Sequence, residues 1–280
     1  LLLASLFFYA WGEPKFVWVM LGSILVNYGL GIWISRCNAL ADKVSSGGEI
    51  NILGRQKKAA VTIAVVLNIG ILFVFKYLAF VSETLHRLAE SVPVLEIALP
   101  IGISFYTFQA IGYLVDVYRG TIHAEKNPFK LALFISFFPQ LIQGPISRFG
   151  DLAKTLYTPH AFDGKVVSFG LQRVLWGYFK KLVVADRLLA GVTTIISDID
   201  TYNGAYAFVG MLFYTVQLYA DFTGGIDITI GIAQSLGVTV QENFRRPYFS
   251  KSLKEYWRRW HISMCSWFRD YIFYPVSSSK

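Results

Sequence analysis

The sequence predicts an all-α, polytopic membrane protein, and three observations predict it. Hydrophobic residues make up 54% of the 280 and charged residues only 16%, where soluble domains carry about a quarter charged. The apolar residues come in long runs, several near the ~20 residues that a helix needs to cross a bilayer. The 26 Lys and Arg exceed the 18 Asp and Glu by 26 − 18 = 8, and they gather between those runs, as in cytoplasmic loops. That placement makes the lipid bilayer, and not nucleic acid, the partner of the positive charge.

The elements follow in order. LLLASLFFYAWG (1–12) has no basic leader and no cleavage site, so it is a poor signal peptide and reads as the last half of a spanning helix. YPVSSSK (274–280) closes the chain without a terminal element, and a fragment lacking both ends is expected. FVWVMLGSILVNYGLGIWIS (16–35) is a span. The polar stretch 36–58 is a basic cytoplasmic loop, with SSGGE (45–49) as its turn signal. Residues 59–81 form the clearest span, 82–96 an acidic outside loop, and 97–120 a third span whose Pro100 requires burial in a bundle.

Later runs are less regular. Pro139 and the Gly144-Pro145 pair break 129–149 into a re-entrant or discontinuous helix, and its architecture matters more than its chemistry. Arg173, Lys180 and Lys181 interrupt 166–190. Residues 205–220 and 226–238 are two shorter runs split by DFTGGID (221–227), with the glycine pair breaking the helix between Asp221 and Asp227. Those aspartates either cap half-helices, pair with arginines of the basic tail from 241 on, or orient substrate. With no internal repeat, 1–280 reads as a single transmembrane domain.

The most unusual segment is EYWRRWHISMCSWFRDYIFYP (255–275). As a helix over 255–271 it puts Trp257, Trp260, His261, Met264, Cys265, Trp267, Phe268 and Tyr271 on one face, and Arg258, Arg259 and Arg269 on the other, an interfacial pattern. His261 is then a core histidine satisfied by one hydrogen bond, an interfacial side chain, or a general base that an apolar setting keeps neutral. His86, His123 and His160 fall singly in loops, and Cys37 and Cys265 make neither a disulfide framework nor a metal site. Phosphate-loop, dinucleotide, serine-elbow and zinc-protease motifs do not occur in the sequence.

QGPISRF (143–149), DFTGGIDITIG (221–231), ENFRRPYFSKSLKEYWRRWHIS (242–263) and WFRDYIFYP (267–275) together resemble the membrane-bound O-acyltransferases, most closely their alginate O-acetyltransferase branch. The resemblance implies a helical fold around a central funnel or tunnel, with His261 as the active-site residue and general base. It implies acetyl transfer from a cytoplasmic donor, acetyl-CoA or another acyl donor, toward an exported polysaccharide, aided by extracytoplasmic acetylation proteins. No bound cofactor and no metal are expected. Trp257 and Trp260 would wall the site, Arg258 and Arg259 would attract phosphates of donor or lipid, and Asp221, Asp227 and Gln143 are further candidates for lining it. Gly225 and Ile226 depart from the family's common Tyr-Ser, and the family's second histidine, in a WHG-like segment, is expected beyond Lys280. The rivals are D-alanyl transfer to teichoic acid from a carrier protein, and a transporter using Asp116, Asp221 and Asp227 as a path.

Overall fold

The computed structural model describes residues 1–44 and 47–278, so Ser45 and Ser46 of the expected turn lie outside the described residues. Among the described residues all regular structure is helical. The chain forms two compact units, Leu1–Ile142 with Arg148–Tyr157 and Asp270–Lys280, and Gln143–Ser147 with Thr158–Arg269.

In the first unit α1 (Leu2–Gly12), α2 (Val17–Ala41), α3 (Gly47–Leu88) and α4 (Ile103–Arg119) precede the short helices α5 (Pro128–Ser136), α6 (Phe138–Leu141) and α7 (Phe149–Leu156). Both α2 and α3 are long and apolar enough to cross a membrane. Their outward side chains, such as Trp18, Leu25, Val66 and Phe80, are exposed and apolar, as lipid contact requires. Where α2 meets α3, Asn27 and Asn68 pair reciprocally through their amides at 3.2 and 2.7 Å, both buried. Such a pair pins the register of two apolar helices, because slipping either one strands a buried amide.

In the polar stretch 36–58, α2 runs to Ala41 and α3 begins at Gly47, with 42–44 outside any helix, and α3 runs on past 82 to Leu88 with His86 inside it. The loops expected over 36–58 and 82–96 are shortened, the second to the non-helical stretch after Leu88, because Glu, Gln, Lys, Arg and Leu are good helix formers and an apolar span propagates through them. The third span is shortened too. α4 starts only after Gly102, in the left-handed region at φ 74°, where the Leu141 carbonyl leaves no room for a Cβ. Its Tyr106, Tyr113 and Val117 are buried, and Gln109 donates to Gln140 at 3.0 Å, so the polar residues of this helix are packed inside, as expected. The break across 129–149 is present: α5 and α6 are separated at Phe137, and irregular chain follows Leu141.

In the second unit α8 (Gly164–Tyr178), a π-helical segment (Phe179–Ala185) and α9 (Asp186–Ser197) lead to α10 (Ala205–Ser235), and then to the short α11 (Leu253–Arg259) and α12 (Ile262–Phe268). The helix does not break at Gly224-Gly225. Both glycines serve close approach instead. A Cβ on Gly177 would lie 2.6 Å from the Gly224 carbonyl oxygen, and one on Gly231 the same distance from that of Gly170. Two pairs spaced seven residues apart thus bring α8 and α10 into backbone contact, antiparallel. At Gly225 the Gln143 side chain occupies the space a Cβ would need.

Asp221 and Asp227 neither cap half-helices nor pair with the basic tail. Lys181 bridges Asp221 and Asp186 at 2.8 and 2.9 Å, Lys180 pairs with Asp227, and Arg173 joins Asp227 at 2.8 Å and Glu242 at 2.6 Å. The interrupting cations of 166–190 are the counterions of the aspartates in α10.

Gly231→Val should prevent the α8–α10 contact and cost at least the ~1–3 kcal/mol of core overpacking; thermal unfolding of purified protein in detergent measures it. Asp227→Asn should cost about 3 kcal/mol by leaving Lys180 and Arg173 facing each other, and adding Lys180→Met should recover part of the loss in the same assay.

Candidate active site around His261

The start of α11 is written into SLKE (252–255). Ser252 Oγ accepts from the Glu255 N–H at 3.2 Å, and Glu255 Oε2 accepts from the Lys251 N–H at 2.8 Å, a capping box displaced by one residue. The helix ends at Arg259. Trp260 is extended and His261 is left-handed at φ 45°, ψ 54°, so the single helix expected over 255–271 is broken between α11 and α12. Asn243 supplies what the break removes. Its carbonyl accepts from Ile262 N–H at 3.0 Å and its side-chain Oδ1 from Ser263 N–H at 2.9 Å, which satisfies the first donors of α12. Ser263 Oγ in turn accepts from the Ile146 N–H at 3.0 Å, tying in the QGPIS strip.

His261 is therefore not on a helix face but at a corner, and the corner aims its ring into an aromatic shell. Phe222 stands edge-on at 4.9 Å and Phe244 lies at 6.4 Å between ring centroids. Asn243 Nδ2 is 3.2 Å from His261 Nδ1. Burial pushes the imidazole pKa down to about 4, so the ring is neutral at physiological pH. These residues lie outside the long apolar helices α2 and α3.

Trp260 fills the rest of the shell. It stacks on Tyr256 at 5.6 Å and Tyr248 at 6.1 Å, meets Phe244 edge-on at 5.0 Å, and is 8% exposed. Trp257 is 51% exposed, whereas Trp260 belongs to the aromatic shell beside His261. Arg245, Arg246, Arg258 and Arg259 line an open basin of about 670 Å³ with Tyr219 and Phe244, which also belong to the shell. Arg259 is held by Glu255 at 2.5 Å. Four guanidinium groups around one concavity suit an anion, phosphate above all.

Gln143 reaches the site indirectly. Its amide donates to the Phe222 carbonyl at 3.4 Å and its own carbonyl accepts from Thr229, so it seats on the face of α10 that presents Phe222 to His261. Asp221 and Asp227 are committed to ion pairs and are not among the contacts of His261. Sequence reasoning missed Asn243, Phe222 and Phe244. All three stand inside quoted motifs, but a buried asparagine carries no periodicity to mark it. Among the described residues no cluster of three His, Cys, Asp or Glu is placed to hold a metal ion.

Residues 123–280 match the model of the MBOAT, membrane-bound O-acyltransferase family. The chain belongs to the membrane-bound O-acyltransferase family. It is 36% identical over its whole length to the "Probable alginate O-acetylase AlgI" of Azotobacter vinelandii, covering 54% of that protein. The peptidoglycan O-acetyltransferase of Helicobacter pylori is 30% identical, again over 100% of this chain and 56% of its own length. The teichoic acid D-alanyltransferase of Bacillus subtilis is 28% identical over 62% of this chain and 44% of that protein. The chain spans about half the length of the curated relatives it matches, and within the O-acyltransferases its likeness is to the alginate branch.

Trp260→Ala should destabilise by about 3–5 kcal/mol, the cost of truncating a buried aromatic, and Trp257→Ala by less than about 1 kcal/mol, as at other surface positions; detergent melting curves of the two separate them. Because His261 stays neutral until the pH nears 4, its protonation should leave the activity of the protein level from about pH 8 down to pH 6, as a pH–rate profile will show.

Proposed function

We propose that the full protein is a multi-pass O-acyltransferase of the cell membrane that takes an acetyl group from a cytoplasmic donor, acetyl-CoA, toward hydroxyls of an exported polysaccharide. The observation that carries this reading is His261: a buried, neutral imidazole held at a strained corner, in a chain of this family, beside a basin of four arginines. A left-handed non-glycine residue costs roughly 1–3 kcal/mol, and such strain gathers at functional sites. The excess of basic residues from 241 on supports a cytoplasmic position for this segment, where a soluble donor would arrive. Arg258 and Arg259, with Arg245 and Arg246, suit the phosphates of such a donor, and extracytoplasmic acetylation proteins would complete the delivery.

The names of the two relatives that match the whole of this chain support acetate as the group moved. D-alanyl transfer is the second reading, favoured by the likeness to the teichoic acid enzymes, which is weaker and reaches only 62% of the chain. His261 is the group that meets the reacting atoms. Serving as general base toward the acceptor hydroxyl would require its accessible nitrogen to be bare of hydrogen.

In cells expressing the full-length gene, His261→Ala should lower the ester-linked acetate that mild base releases from surface polysaccharide at least about a hundredfold, at equal membrane abundance of the protein. Unchanged acetate overturns the assignment of His261. A wild type that esterifies D-alanine and no acetate moves the donor to the second reading.

A further inference from the structure

The Asn243 side chain has only one orientation open to it. Asn243 is fully buried, at 0% exposure. Its Oδ1 accepts from the Ser263 backbone N–H at 2.9 Å, and a backbone N–H can only donate. The oxygen is thereby assigned, and the amide nitrogen is the atom that faces His261 Nδ1 at 3.2 Å. Exchanging the two amide atoms would set an NH₂ against the Ser263 N–H, two donors together in a buried place. The consequence passes to the ring. A nitrogen that receives a hydrogen bond from an NH₂ must offer a lone pair, so Nδ1 is bare. A neutral imidazole carries its single hydrogen on the other nitrogen, Nε2. Among the described residues Nε2 has no protein partner and is not sealed from solvent, which leaves it for a ligand.

We infer that Asn243 is a positioning residue that holds His261 in the Nε2–H tautomer, so that His261 meets the acyl group's carbonyl oxygen as a hydrogen-bond donor. The inference rests on the acyl-transfer reading for the identity of the ligand, and on the geometry alone for the tautomer. In this state Nε2 has no lone pair for a hydroxyl proton. The ring does what a backbone N–H does in an oxyanion hole: it offers a fixed hydrogen to the oxygen on which negative charge collects. The surrounding Phe222 and Phe244 keep the ring free of competing charge, since neither offers an ionisable group. The left-handed corner and the Ile262 N–H bond to the Asn243 carbonyl hold the two side chains in register.

Histidine labelled with ¹⁵N in the full-length protein in detergent reads the tautomer directly, with His261→Gln identifying the signal. At pH 7 the wild type should show a protonated Nε2 and a bare Nδ1. Asn243→Asp keeps an acceptor for the Ser263 N–H but presents a carboxylate to the ring. It should draw the hydrogen to Nδ1 and reduce acetyl transfer about a hundredfold, the scale of one lost oxyanion donor. A wild-type ring with its hydrogen on Nδ1 overturns the inference and leaves the functional reading standing; the measurement needs no variant at Asn243 to fold. Asn243→Asp that reverses the tautomer with full activity overturns the donor role. Full acetyl transfer by His261→Ala, which offers no hydrogen-bond donor, overturns the functional reading and the donor role together, and leaves the tautomer assignment untouched.

Discussion

The site hangs on the backbone contact between α8 and α10. Gly170 against Gly231 and Gly177 against Gly224 bring two helices together with no side chain between them. Dispersion and carbonyl contacts at that distance hold the two helices together where no side chains interdigitate. With α10 held straight, Tyr219, Phe222, Thr229 and the notch at Gly225 stand at fixed heights along one rod. The aromatic shell, the seat of Gln143 and the ring of His261 all take their positions from it.

Charge reinforces the same contact. A carboxylate inside an apolar unit needs cations, and the π-helical widening after α8 lets Lys180 and Lys181, successive residues, address Asp227 and Asp221 separately. Arg173, two turns earlier, closes the set by reaching Asp227 and Glu242 together. Four acidic and three basic groups, Asp186 included, are therefore spent on holding α8, the π-helical segment and α10 in one geometry, and none of them is a contact of His261. The aspartates of the DFTGGID motif, which the sequence leaves open between capping, pairing and chemistry, are ion-paired with Arg173, Lys180 and Lys181.

Much of this was legible in the residues. Run lengths and composition identified the helical class and the two long apolar helices, and Pro139 with Gly144-Pro145 marked the broken region. The WRRWHIS block pointed to His261 because its order and spacing are specific. What was not legible has one physical cause: glycine has opposite meanings that only packing distinguishes. Gly224-Gly225 looked like a helix breaker and is a contact surface, whereas Gly102 looked unremarkable and is a true left-handed turn. The corner at His261 was hidden for a related reason, because the residue that stabilises it, Asn243, lies 18 positions away. Amphipathic periodicity across 255–271 cannot register a break that a distant amide repairs.

Among the described residues only Arg246 and His261 adopt a positive φ without being glycine, at 48° and 45°. Glycine would sit at either corner with less backbone strain. At His261 that relief would come with the loss of the ring that meets Asn243, Phe222 and Phe244. The corner therefore sets a conformational cost of roughly 1–3 kcal/mol against side-chain packing within a single residue, and a glycine there would ease the backbone while emptying the shell.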